Sequence, residues 1–264
     1  MTEFLYALAG LAVGAAVGAT GVGGGSLMTP MLILFYGVAP AMAVGTDLLF
    51  ASLSKTYATL LHGRNGTLDF RLVGWLSLGS VPAVLATLVF LHGYGDVKAL
   101  SHLIKLVLAA AVVVTALFTL AQETVLRRLQ HWLAARELPP HAQRAATVVT
   151  GALIGALVTI SSVGAGVIGM MVLLLLYPRQ TPIRLVGSDL AHAVLITAIA
   201  GLGHAGLGTV DWSMLWLLLA GGLPGVWIGS RLGFRMPART LKRSIAGLLL
   251  FVGGSTLAKA AGLL

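Results

Sequence analysis

Two apolar stretches, residues 4–36 and 145–178, carry no charged side chain, and each is longer than 30 residues. As continuous helices they would reach about 50 Å, against a bilayer hydrocarbon core of about 30 Å. Both are interrupted near the centre, the first by TGVGGGS (Thr20–Ser26) and the second by SSVGAG (Ser161–Gly166). A break at membrane depth strips backbone amides and carbonyls of their helical partners, which is tolerated only where protein or a cavity covers them. These interruptions require a fold that buries them.

Composition supports that frame. Hydrophobic residues make up 58% of the chain and charged residues 9%, with mean hydropathy +0.96, a balance typical of integral membrane proteins and of chains that meet the lipid bilayer directly. Six further apolar runs, at 42–62, 72–92, 99–121, 184–205, 212–231 and 243–262, complete an all-α, polytopic pattern. The first segment starts with Glu3 instead of basic residues and shows no cleavage signal, so it is expected to be retained. Without cysteine, disulfides, thiolate metal sites and cysteine nucleophiles are excluded. The net charge of +9 does not indicate nucleic acid, because the basic residues lie in short loops without interleaved aromatics. They bear on topology instead.

The chain also repeats itself. Advancing 141 residues brings Gly14, Val22, Gly23, Gly25 and Tyr36 onto Gly155, Val163, Gly164, Gly166 and Tyr177. After one inserted residue the offset becomes 142, and Val44-Gly45-Thr46-Asp47-Leu48 falls on Val186-Gly187-Ser188-Asp189-Leu190, with His62 on His204 and Pro82 on Pro224. So many special residues in one register indicate a duplicated unit: a first repeat over 1–121, a linker over 122–144 and a second repeat over 145–264.

Lys and Arg positions choose between parallel and inverted halves. If each broken stretch folds into two antiparallel pieces, thirteen basic residues fall on the linker side and Lys98, Lys105 and Lys259 opposite. If each stretch is one continuous span, the same residues divide seven against nine. The positive-inside rule selects two inverted-topology repeats with broken helices or re-entrant hairpins at mid-membrane, the linker cytoplasmic and both termini outside. The linker places Val125, Leu129, Trp132 and Leu133 on one helical face, readable as an interfacial amphipathic helix or as a solvated connector.

A half-helix starting near Gly24, and its counterpart at Gly166, would point free N–H groups and a positive dipole end at the midplane. Two such ends make an anion site. The expected substrate-binding residues are Thr20, Gly21, Gly23, Gly24, Gly25 and Ser26 from the first break, and Ser161, Ser162, Gly164 and Gly166 from the second. Tight helix packing is the competing explanation, and it suits Gly221, Gly225 and Gly229 better than three adjacent glycines. A nucleotide-binding loop is excluded, since no Lys-Ser/Thr follows.

Four ionisable residues lie within spans: Asp47, Lys55, Asp189 and His192. Such residues are functional candidates by default. Asp189 and His192 are three apart on one helical face, which suits a proton relay; Phe50 and Thr197 stand where the repeat would place a second His192 and Lys55. Asp47, Asp189 and His192 are the proton-coupling candidates, and Lys55 an anion-binding one. Capping of helix starts is the alternative for both Asp residues. Asp69 and Asp211 read as caps, Pro82 and Pro224 as helix kinks, and His62 and His204 as interfacial. No metal or cofactor site is indicated.

At this point GVGGGSLMTPML (Gly21–Leu32), VGTDLL (Val44–Leu49), HGRNGTLDF (His62–Phe70), VGSDLAHAVLIT (Val186–Thr197) and LGTVDW (Leu207–Trp212) resemble the TauE/SafE sulfite exporter family over nearly the whole chain outside the linker. The resemblance implies a bacterial inner-membrane permease for sulfite or a small organosulfur anion such as sulfoacetate, acting as an exporter. Asp47 and Asp189 depart from the serine of many members, which points to a subgroup with its own substrate or coupling ion. A proton-coupled transporter is the expected function. A passive anion channel could use the same half-helices. An intramembrane hydrolase would need Ser26 or Ser161 activated by His192.

Overall fold

The computed structural model describes residues 2–20, 25–62, 68–93, 97–134, 139–164 and 166–232. Within them the chain is all-helical, in the order α1 (Thr2–Thr20), α2 (Gly25–Tyr36), α3 (Pro40–His62), α4 (Phe70–His92), α5 (Val97–Ala134), α6 (Pro140–Ser161), α7 (Val167–Leu176), α8 (Pro182–Gly206) and α9 (Trp212–Leu232). Local chemistry sets the helix starts. Asp69 accepts from the amides of Arg71 and Leu72 at 3.0 and 3.2 Å, and Asp211 from that of Met214 at 2.9 Å, so both cap the helices that follow. Pro140 and Pro182 occupy first turns, where a missing N–H leaves nothing unpaired. Pro82 and Pro224 lie inside α4 and α9.

Helices α4, α6, α8 and α9, with Leu100–Thr119 of α5, are long and apolar enough to cross a membrane. The chain is a multi-pass membrane protein. Trp212 and Trp216 at the start of α9 and Trp227 near its end are exposed, with the Arg231 guanidinium 3.9 Å from the Trp227 ring centre; aromatics paired with arginine suit the two lipid–water interfaces.

Each long apolar stretch folds as a helical hairpin, not as two full spans. At the end of α2 the Tyr36 hydroxyl donates to the Leu5 carbonyl at the start of α1 (2.9 Å), and its ring stacks on Tyr6 at 4.9 Å. At the equivalent positions the Tyr177 and Thr147 hydroxyls meet at 2.7 Å. The 12 residues of α2 and the 10 of α7 therefore return toward the end where α1 and α6 begin. At 1.5 Å per residue they span only about half of a bilayer core.

Helix α5 continues without interruption to Ala134, through residue 121 and into the stretch read as a linker. Residues 135–138 and 233–264, the latter including the apolar run at 243–262, lie outside the described residues, as do Gly21, Gly23 and Gly24.

The packing of the two halves exchanges in the register of the repeat, which carries α1–α4 onto α6–α9. The most extensive helix contacts are α1 with α9 and α4 with α6. Gly10 and Gly14 face the carbonyls of Leu218 and Gly222, while Gly151 and Gly155 face those of Leu76 and Ser80. A methyl group at Gly14 or Gly155 would overlap those carbonyls, so this close approach excludes a side chain. The Asp69 amide donates to Ser188 Oγ at 2.9 Å, and the Asp211 amide to Thr46 Oγ1 at 3.0 Å, again an exchanged pair.

These contacts fix directions. Helices α1 and α9 run parallel, as do α4 and α6, whereas α3 and α8 run antiparallel: Gly45 lies by His204, Gly201 against Leu49, and Ser52 Oγ donates to the Val194 carbonyl at 3.5 Å. Residues 52 and 194 are 142 apart, the register of the repeat, and meet where α3 and α8 cross. Arg71, Arg144, Arg179, Arg184 and Arg231 all fall at one end of the bundle, and Lys105 toward the other.

Candidate functional site

Asp47 and Asp189 are each the eighth residue of their helices, α3 and α8. A cap stands before the first turn, so the capping alternative for these two residues is overturned. Both are buried. Thr29 of α2 donates to Asp47 Oδ2 through its amide at 3.2 Å and its hydroxyl at 2.5 Å, and Asp47 Oδ1 has no partner among the described residues. Asp189 Oδ1 is also unpartnered and lies against Gly169 of α7, where a methyl group would come within 2.9 Å of it. Each carboxylate thus lies beside the first turns of its own half's short helix, where the dipole favours negative charge.

The antiparallel crossing of α3 and α8 sets the depths. Asp47 lies five residues before Ser52 and Asp189 five before Val194, so at 1.5 Å per residue they sit about 7 Å to opposite sides of the Ser52–Val194 contact. Lys55, three residues past Ser52, and His192, two before Val194, fall at nearly the same depth on the Asp189 side. All four side chains are buried. His192 does not bond Asp189: its Nε2 pairs with Ser80 Oγ of α4 at 2.8 Å, and Nδ1 has no partner among the described residues.

The second break is described almost completely. Ser161 Oγ donates to the carbonyls of Leu157 at 2.7 Å and Val163 at 3.3 Å and accepts from the Val163 amide at 3.2 Å, so it is committed to closing its own helix end. Ser162 adopts a left-handed conformation (φ 57°), uncommon for a side chain-bearing residue, and its hydroxyl is buried and unpartnered. Gly164 has φ 118°, which glycine alone tolerates readily. Gly166 stands at the start of α7. In the first break the backbone of Thr20, Gly25 and Ser26 is helical.

His204, in the last turn of α8, is fully buried within the protein, with Nδ1 bonded to Thr209 Oγ1 at 2.8 Å and Nε2 to the Thr159 carbonyl at 2.9 Å. Burial without charge requires both ring nitrogens to be satisfied, and they are. Thr29 and Ser80, absent from the sequence-based set, contact Asp47 and His192 directly. The repeat held a signal for Ser80: Ser80 with His192 is replaced by Gly222 with Phe50, and the Phe50 ring packs on Gly222. Among the described residues no group of three or more His, Asp or Glu side chains could hold a metal ion.

A family model for the sulfite exporter TauE/SafE matches residues 6–256. A "probable membrane transporter protein" of Bacillus subtilis (strain 168) is 35% identical over 249 residues, covering 93% of this chain and 96% of that protein. A protein of the same description from Xylella fastidiosa (strain 9a5c) is 29% identical over 248 residues, covering 90% and 87%. No solved structure matches.

Proposed function

Because this chain belongs to the TauE/SafE sulfite exporter family of membrane transporters, we propose that it exports sulfite or a small organosulfur anion such as sulfoacetate in company with protons. The observation that carries this reading is the set of two buried carboxylates, each with one partnerless oxygen, flanking a single lysine at mid-depth. With both carboxylates ionised, the Asp47, Asp189 and Lys55 set sums to one negative charge, and a second anion is repelled in a medium of low dielectric. Protonation of one carboxylate neutralises the set, and protonation of both leaves Lys55 to receive a monovalent anion. Anion and proton then move together because neither loading is favourable alone.

The halves are inverted in the bilayer, with the linker cytoplasmic and both termini outside the bacterial inner membrane. The antiparallel α3 and α8, the exchanged contacts and the five arginines at one end support this. Rocking of one half against the other about the Ser52–Val194 contact exposes the central set to either side in turn. Ser162, Gly164 and Gly166 border it from the second break, and Thr20 to Ser26 are assigned the same role in the first. A hydrolase reading loses its described nucleophile, since the Ser161 hydroxyl is engaged with backbone carbonyls.

Proteoliposomes test the proposal with sulfite, sulfoacetate, taurine, sulfate and thiosulfate under an imposed pH gradient. Accumulation of a sulfur anion driven by the gradient is expected for the wild type, with binding retained but the drive lost in Asp189→Asn. Passive flux indifferent to the gradient would instead mark a channel.

A further inference from the structure

We infer that the anion is held at mid-depth by Lys55 Nζ together with the Nδ1–H of a neutral His192, and that Ser80 sets the tautomer that makes this possible. The inference rests on the transport reading above and moves the anion away from the half-helix ends, which already face the protein's own carboxylates.

The proton on Ser80 carries the argument. Threonines of this bundle, such as Thr87 and Thr147, return their hydroxyl protons to the carbonyl four residues back, at 2.7 and 2.8 Å. Ser80 is fully buried, and its hydroxyl is instead paired with His192 Nε2 at 2.8 Å. A hydroxyl must place its proton on an acceptor, and Nε2 is the acceptor in contact, so the ring hydrogen resides on Nδ1. That N–H is fully buried and unpartnered, an unfavourable state for a protein donor that a bound acceptor relieves. Lys55 stands at nearly the same depth on α3, counted from the Ser52–Val194 contact, and Asp189 and Asp47 lie farther out on either side.

One cation and one neutral donor suit a small monovalent oxyanion, which offers two acceptor oxygens and one charge. The other half lacks the pair, because Phe50 and Gly222 fill the equivalent volume with a ring and Thr197 replaces the lysine. A single anion per cycle follows.

The test uses the purified full chain with sulfite and methanesulfonate as probes, measuring affinity by calorimetry and folding by melting temperature. Asparagine can place an amide N–H where Nδ1 stood, and glutamine where Nε2 stood. His192→Asn is expected to stay within about tenfold of wild-type affinity, the worth of roughly one hydrogen bond, and His192→Gln to fall well beyond that. Ser80→Ala should weaken binding about tenfold at native melting temperature. Equal affinities in wild type, His192→Gln and Ser80→Ala would overturn the inference while leaving transport standing. So would an equal loss in His192→Asn and His192→Gln at native melting temperature. Failure of the folded wild type to bind either probe would overturn the transport reading with it.

Discussion

The two repeats agree in their backbones and differ in their chemistry. Gly14 on Gly222 mirrors Gly155 on Ser80, and Asp69 with Ser188 mirrors Asp211 with Thr46. Around the aspartates the correspondence stops: Thr29 grips Asp47 where Met170 stands by position for the second half, and Lys55, His192 and Ser80 face Thr197, Phe50 and Gly222 across the Ser52–Val194 contact. Small residues and caps hold the duplicated frame because helix approach tolerates no other side chain there. The site escapes that constraint, so one half supplies a firmly bonded carboxylate and the other a carboxylate with fewer ties.

The largest expected effect is at Lys55. Lys55→Met removes the cation between two buried carboxylates and should destabilise the protein by about 3–5 kcal/mol, as removal of one member of a buried charged set does. Melting in detergent checks this, and Lys55→Met/Asp189→Asn should recover much of the loss; an unchanged melting temperature in the single variant would remove Lys55 as the counter-charge. Next come the paired seams. Gly14→Leu and Gly155→Leu should each cost about 3 kcal/mol, the upper end for forced overpacking. A large gap between them would break the equivalence of the frames. Thr29→Val removes the hydroxyl donor to Asp47 Oδ2 while the backbone amide donor stays, and should cost about 2 kcal/mol, within the range for one hydrogen bond to a charged group. Met170→Val, without such a bond to lose, should cost less than about 1.5 kcal/mol. The smallest effect is Ser161→Ala, about 1 kcal/mol of stability for one hydrogen bond with no change in anion affinity. A fall in affinity would return Ser161 to the substrate site.

Much of this was legible in the residues. The exchanged contacts follow the 141/142 register read from the residues, because glycine and cap positions repeat when a backbone repeats. The breaks were legible for the same reason: runs of more than 30 apolar residues exceed the bilayer, and α2 and α7 begin at Gly25 and Val167. What stayed hidden was contact across the fold. Nothing local marks Thr29 as the donor to a carboxylate 18 residues away, or Ser80 as the partner of a histidine 112 residues away. The burial of His204 was hidden on the same ground, since its partner Thr159 lies on another helix. The capping alternative at Asp47 and Asp189 misjudged the helix starts, which Pro40 and Pro182 set seven residues earlier.

The central claim is that equivalent positions of the two halves face opposite sides of the membrane. Ala39, between α2 and α3, and Thr181, between α7 and α8, are exposed, occupy equivalent positions 142 residues apart, and belong to a chain with no native cysteine. Single cysteines at Ala39 and Thr181 can be reacted with a membrane-impermeant maleimide in intact cells and again after permeabilisation. The account predicts that Ala39→Cys is labelled in intact cells and Thr181→Cys only after permeabilisation; labelling of both from the same side would contradict it.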